Sequence, residues 1–160
     1  MGAEESGARR EKLERSVRTY FEACNESSRE KFDSVLAPGA IHYFPPGVGG
    51  PYVGRDAIAE LWMGFVREKG SFWTIDRLVG DGREVAIEWT HFKPKVGERL
   101  RGAEWYEFDE EGRITEIRAY YASPRDATAS ANELEGFPHE AKGFPMRPPE
   151  GFRREREGSP

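Results

Sequence analysis

The hydrophobic period of this chain changes at Gly70, and that change limits the folds open to it more than any other feature. Downstream lie four runs, SFWTIDRLV, REVAIEWTHFK, ERLRGAEWYEF and RITEIRAYY, each rich in β-branched or aromatic residues and separated by the turn signals DG, PKVG and DEEG. Connections this short make an antiparallel meander, since a parallel pair needs a long crossover. Upstream the period is helical. Leu13, Val17, Tyr20, Phe21 and Cys24 form one apolar stripe, Phe32, Val35 and Leu36 a second, and Ile58, Leu61, Trp62, Phe65 and Val66 a third. Ser27 with Glu30 reads as a capping box opening the second helix, which is expected to stop at Pro38-Gly39. Asp56 reads as the cap of the third helix, which ends at Lys69-Gly70. Between these two helices sit a brief extended stretch, Ala40 to Phe44, and a loop, PPGVGGPYVG, that no helix or central strand tolerates. Helices followed by strands predict an α+β fold. Three N-terminal helices bury their stripes against one face of a curved antiparallel sheet, giving a cone with an interior.

The 160 residues suffice for one domain with one core. The patterning predicts a small, charged and frayed lead over residues 1–12, the domain over 13–123 and an irregular arm over 124–160. The arm is punctuated by Gly136-Phe137-Pro138, Gly143-Phe144-Pro145 and Gly151-Phe152. It either lies on the domain or a neighbouring subunit, or is a flexible tail with incidental aromatics. An apolar share of 37% and a mean hydropathy of −0.77 place poorly buried residues at these ends. The 29 acidic and 24 basic residues are interspersed, without the clustered Lys and Arg of a nucleic-acid groove. There is no apolar run long enough for a membrane span, and no signal-peptide pattern at the start. Cys24 is alone, which excludes an internal disulfide and a Cys/His zinc set and fits a reduced, cytoplasmic setting.

The order helix, helix, short strand, Gly/Pro loop, helix and four strands is carried by YFEACNESSREKFDSVLAPGAIHYFPPG, VGRDAIAELWMGF, VAIEWTHF and GAEWYEFDEEGRITEIRAYY. Over Leu13 to Ser123 it resembles the NTF2-like superfamily and, within it, the SnoaL-like and ketosteroid-isomerase-like branch. The resemblance implies a conical α+β barrel with a deep apolar pocket between helices and sheet, commonly a homodimer through the outer sheet face. It implies no single reaction, because such folds include isomerases, polyketide cyclases, dehydratases, epoxide hydrolases and proteins that only bind.

Strand alternation decides which side chains reach that pocket. His42 and Phe44 share one face of their strand, and Tyr43 takes the other, toward the dimer side. Glu104, Tyr106 and Phe108 align, and the company of Phe108 marks their face as the inner one. Glu104 is then a carboxyl in an aromatic-lined cavity, where burial disfavours the charged form and favours a hydrogen-bond donor. In VAIEWTHF, Val85, Ile87, Trp89 and His91 read inward, with Glu88 outward toward an arginine such as Arg101 or Arg118; the opposite register would exchange Glu88 and His91. Phe44, Trp62, Phe65, Trp89, Tyr106 and Tyr121 are candidate ligand walls, with His91 at the rim, although aromatics at this spacing also serve as plain core. His139 in the arm is expected in solvent.

By resemblance to the ketosteroid isomerases, Tyr20 takes the place of their helix-borne oxyanion-hole tyrosine and Glu104 that of their protonated aspartate. Their general-base carboxylate falls near Phe44, which cannot accept a proton, so steroid isomerisation by that route is not expected. His42 is the alternative base, since an imidazole is suited to proton transfer near neutrality; its other reading is a hydrogen-bonded core histidine. No two inward aspartates flank an arginine in the limonene-epoxide-hydrolase manner, and GxSxG, P-loop and HExxH motifs are absent. Two functions stand open. One is a cofactor-free acid/base enzyme of isomerase, cyclase, dehydratase or hydrolase type, acting without metal on a small, largely apolar, oxygen-bearing molecule. In it His42 moves a proton while Tyr20 and Glu104 hold the oxygen. The other is a non-catalytic ligand-binding or dimerisation module.

Overall fold

The computed structural model describes residues 2–121 and 134–143. Three helices, α1 (Ala3–Glu26), α2 (Arg29–Val35) and α3 (Arg55–Lys69), interleave with strands β1 (Leu36–Tyr43) and β2 (Tyr52–Val53). The meander follows as β3 (Phe72–Gly80), β4 (Val85–Lys93), β5 (Glu98–Phe108) and β6 (Ile114–Tyr121). The sheet order is β2-β1-β6-β5-β4-β3, antiparallel throughout except where β1 runs parallel to β6. The result is the α+β cone, with helices packed on one face of a curved, unclosed, six-stranded mixed sheet. No described helix is long and apolar enough to cross a membrane.

Four local expectations shift. Residues 3–12, expected to fray, are the first turns of α1. They carry good helix formers with Glu4 and Glu5 against the N-terminal dipole, and Arg9 donates to the carbonyls of Asp109 and Glu110 at the β5–β6 turn. Ser27 does not cap α2. It adopts φ 52° to terminate α1, and Ser28 accepts from the Lys31 amide instead, which puts Glu30 one position short for a reciprocal box. α2 ends at Val35 rather than at Pro38-Gly39; those two residues lie exposed within β1 where its register against β6 slips, the kind of irregularity that admits proline in a strand. Gly54, not Asp56, is the N-cap of α3, and Asp56 sits in the first turn with its carboxylate 3.1 Å from Arg29.

The core lies between the inner sheet face and the helices. Leu13, Val17 and Tyr20 of α1 and Ile58 and Trp62 of α3 meet Val85, Ile87, Tyr106 and Ile117 of the sheet. Asn25 clamps the end of α1 to β3, its side chain bonding both the amide (2.8 Å) and the carbonyl (2.9 Å) of Trp73. Outside the sheet, residues 134–143 of the arm lie back on β1 and β6. Leu134 and Phe137 bury against Tyr43, so this face of Tyr43 is covered by its own chain, and Glu135 donates its amide to the Phe44 carbonyl. His139, expected in solvent, is half-buried against the Phe137 ring with Nδ1 3.0 Å from that residue's carbonyl. The Gly143-Phe144-Pro145 and Gly151-Phe152 beads lie wholly or partly outside the described residues, as does the boundary at Ser123.

Candidate active site

Two adjoining chambers with shared walls lie between helices and sheet. The inner one, about 20 Å³, is walled by Tyr20, Phe21 and Cys24 of α1, Trp62 of α3, Phe44, and Trp73, Trp89, His91, Glu104 and Tyr121 of the sheet. The outer one, about 110 Å³, shares Phe44, Trp62, His91 and Tyr121 and continues to Val48, Tyr52, Leu61, Phe65, Lys93 and Leu100. The inner volume matches one water or one substrate oxygen, and the two together approach the roughly 150 Å³ cavity that holds a benzene ring.

Glu104 is the one carboxyl among the described residues lining either chamber. It is buried, its Oε2 accepts a hydrogen bond from the Tyr106 hydroxyl, and its Oε1 lies 3.6 Å from His42 Nε2. His42 is fully enclosed, stacked on Phe44 with ring centroids 4.1 Å apart, and its Nε2 has no hydrogen-bond partner among the described residues. The alternation therefore predicts the inner face correctly, but His42 and Tyr106 stand behind Glu104 and Phe44 and line neither chamber. The expected wall residue Tyr106 is a partner of the carboxyl, and the expected base His42 reaches the cavity only through Glu104.

Tyr20 does line the inner chamber, and its phenol oxygen accepts from Trp62 Nε1 at 2.5 Å. Burial, then the proximity of Cys24 and Glu104, pushes the Tyr20 phenol well above its ordinary range; burial and Glu104 do the same to Tyr106. Burial and Glu104 also raise the Cys24 thiol, leaving it a protonated, unreactive wall. The carboxyl thus sits among groups that keep their protons.

Of the other expected residues, Trp62 and Tyr121 line both chambers, Trp89 the inner and Phe65 the outer. Gly102 explains the seat of Trp89: a Cβ there would lie 2.6 Å from the indole and 2.3 Å from the Tyr120 carbonyl. His91 is inward and buried rather than at a rim, stacked on Trp73 at 4.4 Å with Nε2 2.7 Å from Ser71 Oγ. Glu88 faces outward as expected, yet pairs with Arg77 on β3 at 3.3 Å instead of Arg101 or Arg118. Arg118 serves Glu107 and Glu116, and Arg101 donates to Thr90. Trp73 and Lys93 are site residues the sequence reading missed. Both have the inward parity of their strands, Trp73 opposite His91 and Lys93 two residues beyond it.

A cone of this topology with a polar group at the base of an aromatic cavity defines a class, and the comparisons agree. Residues 17–117 match the SnoaL-like domain, and the chain belongs to that family. A protein of unknown function with a cystatin-like fold from Methylobium petroleophilum PM1 is 44% identical, with 88% of this chain and 95% of that one covered and a TM-score of 0.82. An NTF2-like protein of unknown function from Mesorhizobium loti is 20% identical over 72% of this chain and 94% of its own, with a TM-score of 0.62. An LEH-like epoxide hydrolase from M. tuberculosis is also 20% identical, over 69% and 82%, with a TM-score of 0.57, a likeness of fold alone. No curated protein matches the chain.

Proposed function

We propose that the chain is a cofactor-free acid/base enzyme acting on a small, largely apolar molecule that carries a carbonyl, hydroxyl or epoxide oxygen, with Glu104 exchanging the proton. The observation that carries this reading is the one carboxyl that described residues bring to these two chambers, bonded by Tyr106 on one oxygen and faced on the other by His42 Nε2, which has no hydrogen-bond partner among the described residues. A substrate oxygen in the inner chamber meets Glu104 and the Tyr20 phenol. Because Trp62 donates to the Tyr20 oxygen, the phenol's own proton is polarised toward an acceptor. Donation to an oxygen that gains negative charge contributes a few kcal/mol in such a dry site. Tyr106 and His42 act through Glu104. The phenol fixes the orientation of the carboxyl through one oxygen, and the imidazole lies 3.6 Å from the other. In the same reading two copies meet through the outer face near Phe72, Phe92 and Trp105, which are exposed among the described residues.

The test is turnover of a panel of small ketones, epoxides and hydroxy compounds by the unaltered chain and by Glu104→Gln. The enzymatic reading expects a pH-dependent rate that falls about a hundredfold or more in the variant while the ligand still binds. Absence of turnover across the panel, with ligand affinity equal in both proteins, identifies a binding module instead.

A further inference from the structure

The outer chamber contains a cation that the proposed chemistry does not use. Lys93 ends β4 six residues beyond Ile87, the partner of Glu104, so at 3.3–3.4 Å per residue its backbone stands about 20 Å along the strand from the level of the carboxyl. Lysine stems ordinarily run along apolar surface and deliver the ammonium to water. This one does not: its side chain is 7% exposed and its ammonium lies 5.4 Å from the centre of the Phe65 ring, in the chamber wall. Its one hydrogen-bond acceptor among the described residues is Glu98, at 3.1 Å, and that carboxylate is itself half in solvent. An ammonium has three donors, and removing it from water for one partly solvated partner is a poor source of stability.

We infer that the outer chamber receives the carboxylate of a slender monocarboxylic acid, with Lys93 as the docking cation, Trp62, Phe65 and Tyr121 around the apolar body, and the far end directed at Glu104. A carboxylate suits a narrow apolar chamber with one cation at its wall; a phosphate dianion calls for more donors than Lys93 and its neighbours supply. Glu98, being half exposed, can turn outward as the ligand acid takes its place. The direction assigned to the far end rests on the reading of Glu104 as the reacting group, whereas the Lys93 contact stands on its own geometry.

The experiment is calorimetric titration of the full chain with butanoate, an acid slender enough for a chamber of about 110 Å³, and with its primary amide. The acid is expected to bind about tenfold or more tightly than the amide, the difference made by a charge-assisted bond to a buried partner. Lys93→Met, which keeps the packing on Phe65, removes that preference; Lys93→Arg retains it; Glu98→Gln tightens the acid several-fold by removing the competitor. Equal binding of acid and amide by the unaltered chain, binding of neither, or an acid preference intact in Lys93→Met overturns the inference, and the first comparison needs no variant to fold. The two proposals fail separately. Lys93-dependent binding of the acid with no turnover anywhere in the panel of ketones, epoxides and hydroxy compounds, acids included, retains this inference and removes the enzymatic reading, while turnover of neutral ketones with no preference for the acid does the reverse.

Discussion

The two faces of the sheet treat buried charge in opposite ways. On the outer face Arg118 bridges Glu107 and Glu116, and Lys142 from the arm adds a second cation to the same pair at 3.6 and 3.2 Å. Every carboxylate there has a cation, so the cluster is a clasp that holds the arm to β5 and β6. On the inner face Glu104 has a phenol and an imidazole 3.6 Å away, and no arginine or lysine within ion-pair range among the described residues. Both carboxylates of the outer cluster therefore have a cation in contact, whereas the inner carboxyl faces a cavity and has none.

The sharpest way to break this contrast is to remove each group in turn. Glu104→Gln preserves shape and the Tyr106 contact, so its expected cost is in rate, about two or more orders of magnitude in kcat, with a chemical-denaturation midpoint close to that of the parent. Arg118→Met does the opposite. With the Arg118 side chain 6% exposed, two carboxylates lose their shared cation, and the fold should lose about 2–3 kcal/mol in urea unfolding, the lower end of a broken buried pair because Glu107 is a third exposed. The relative turnover of the folded fraction should be unchanged. If Arg118→Met erased activity and Glu104→Gln erased stability, the assignment of the two faces would be reversed.

Gly102→Ala tests how finely the inner cavity is cut. The added methyl would press on the Tyr120 carbonyl and the Trp89 indole, and one of these must move, at a cost of about 1–3 kcal/mol. Trp89 and Tyr121 meet edge to face at 5.7 Å, so the displacement should be visible in the near-ultraviolet dichroism of their rings and as weakened ligand binding. An unshifted spectrum with full affinity would mean that the cavity wall is soft.

The faces should also fail at opposite ends of the pH scale. Tyr20 and Tyr106 are raised above the ordinary phenol value of 10.0, so their contribution is fully present below that value and is lost as pH climbs past it toward their folded-state values. Glu107 is held below its ordinary range by its hydrogen bond with Glu116 and then by Arg118, so its contribution is present above that range and is lost as pH falls through its folded value. Glu116, raised by burial and by Glu107, offsets part of this. Unfolding midpoints recorded across the pH range should therefore drop above pH 10.0 and again in acid. Tyr106→Phe should soften only the alkaline drop, and Arg118→Met only the acid one.

The sequence showed the cone more clearly than the site, for physical reasons that differ by residue. Alternation is a property of the strand itself, so apolarity favoured the inward set Val85, Ile87, Trp89 and His91 over the opposite register, and a helical stripe identified α1 from Leu13 onward. The single-residue choice between Ser27 and Ser28 could not, because either hydroxyl caps equally well until the crossing of α1 and α2 demands a left-handed residue at 27. The parallel pairing of β1 with β6 joins segments far apart in the chain, and no local pattern encodes it. Parity placed His42 on the inner face but could not say that Phe44 and Glu104 stand between it and the cavity. Lys93 had the right parity as well, and its charge disguised it as a surface residue.

The smallest effect expected is at the pair that the sequence assigned to the wrong arginine. Glu88 and Arg77 face each other across β3 and β4 with side chains 63% and 83% exposed. Water screens such a pair, and holding two long side chains together costs entropy that nearly cancels the attraction, so Glu88→Gln should change stability by about 0.5 kcal/mol or less. The same substitution chemistry at Glu104, carboxylate to amide on an adjacent strand, is expected to abolish most turnover. A double-mutant cycle with Arg77→Gln at low and high salt measures the outer pair directly. A coupling well above 1 kcal/mol would show that the outer face of β4 is shielded from water in solution, as it would be if a second copy of the chain covered it.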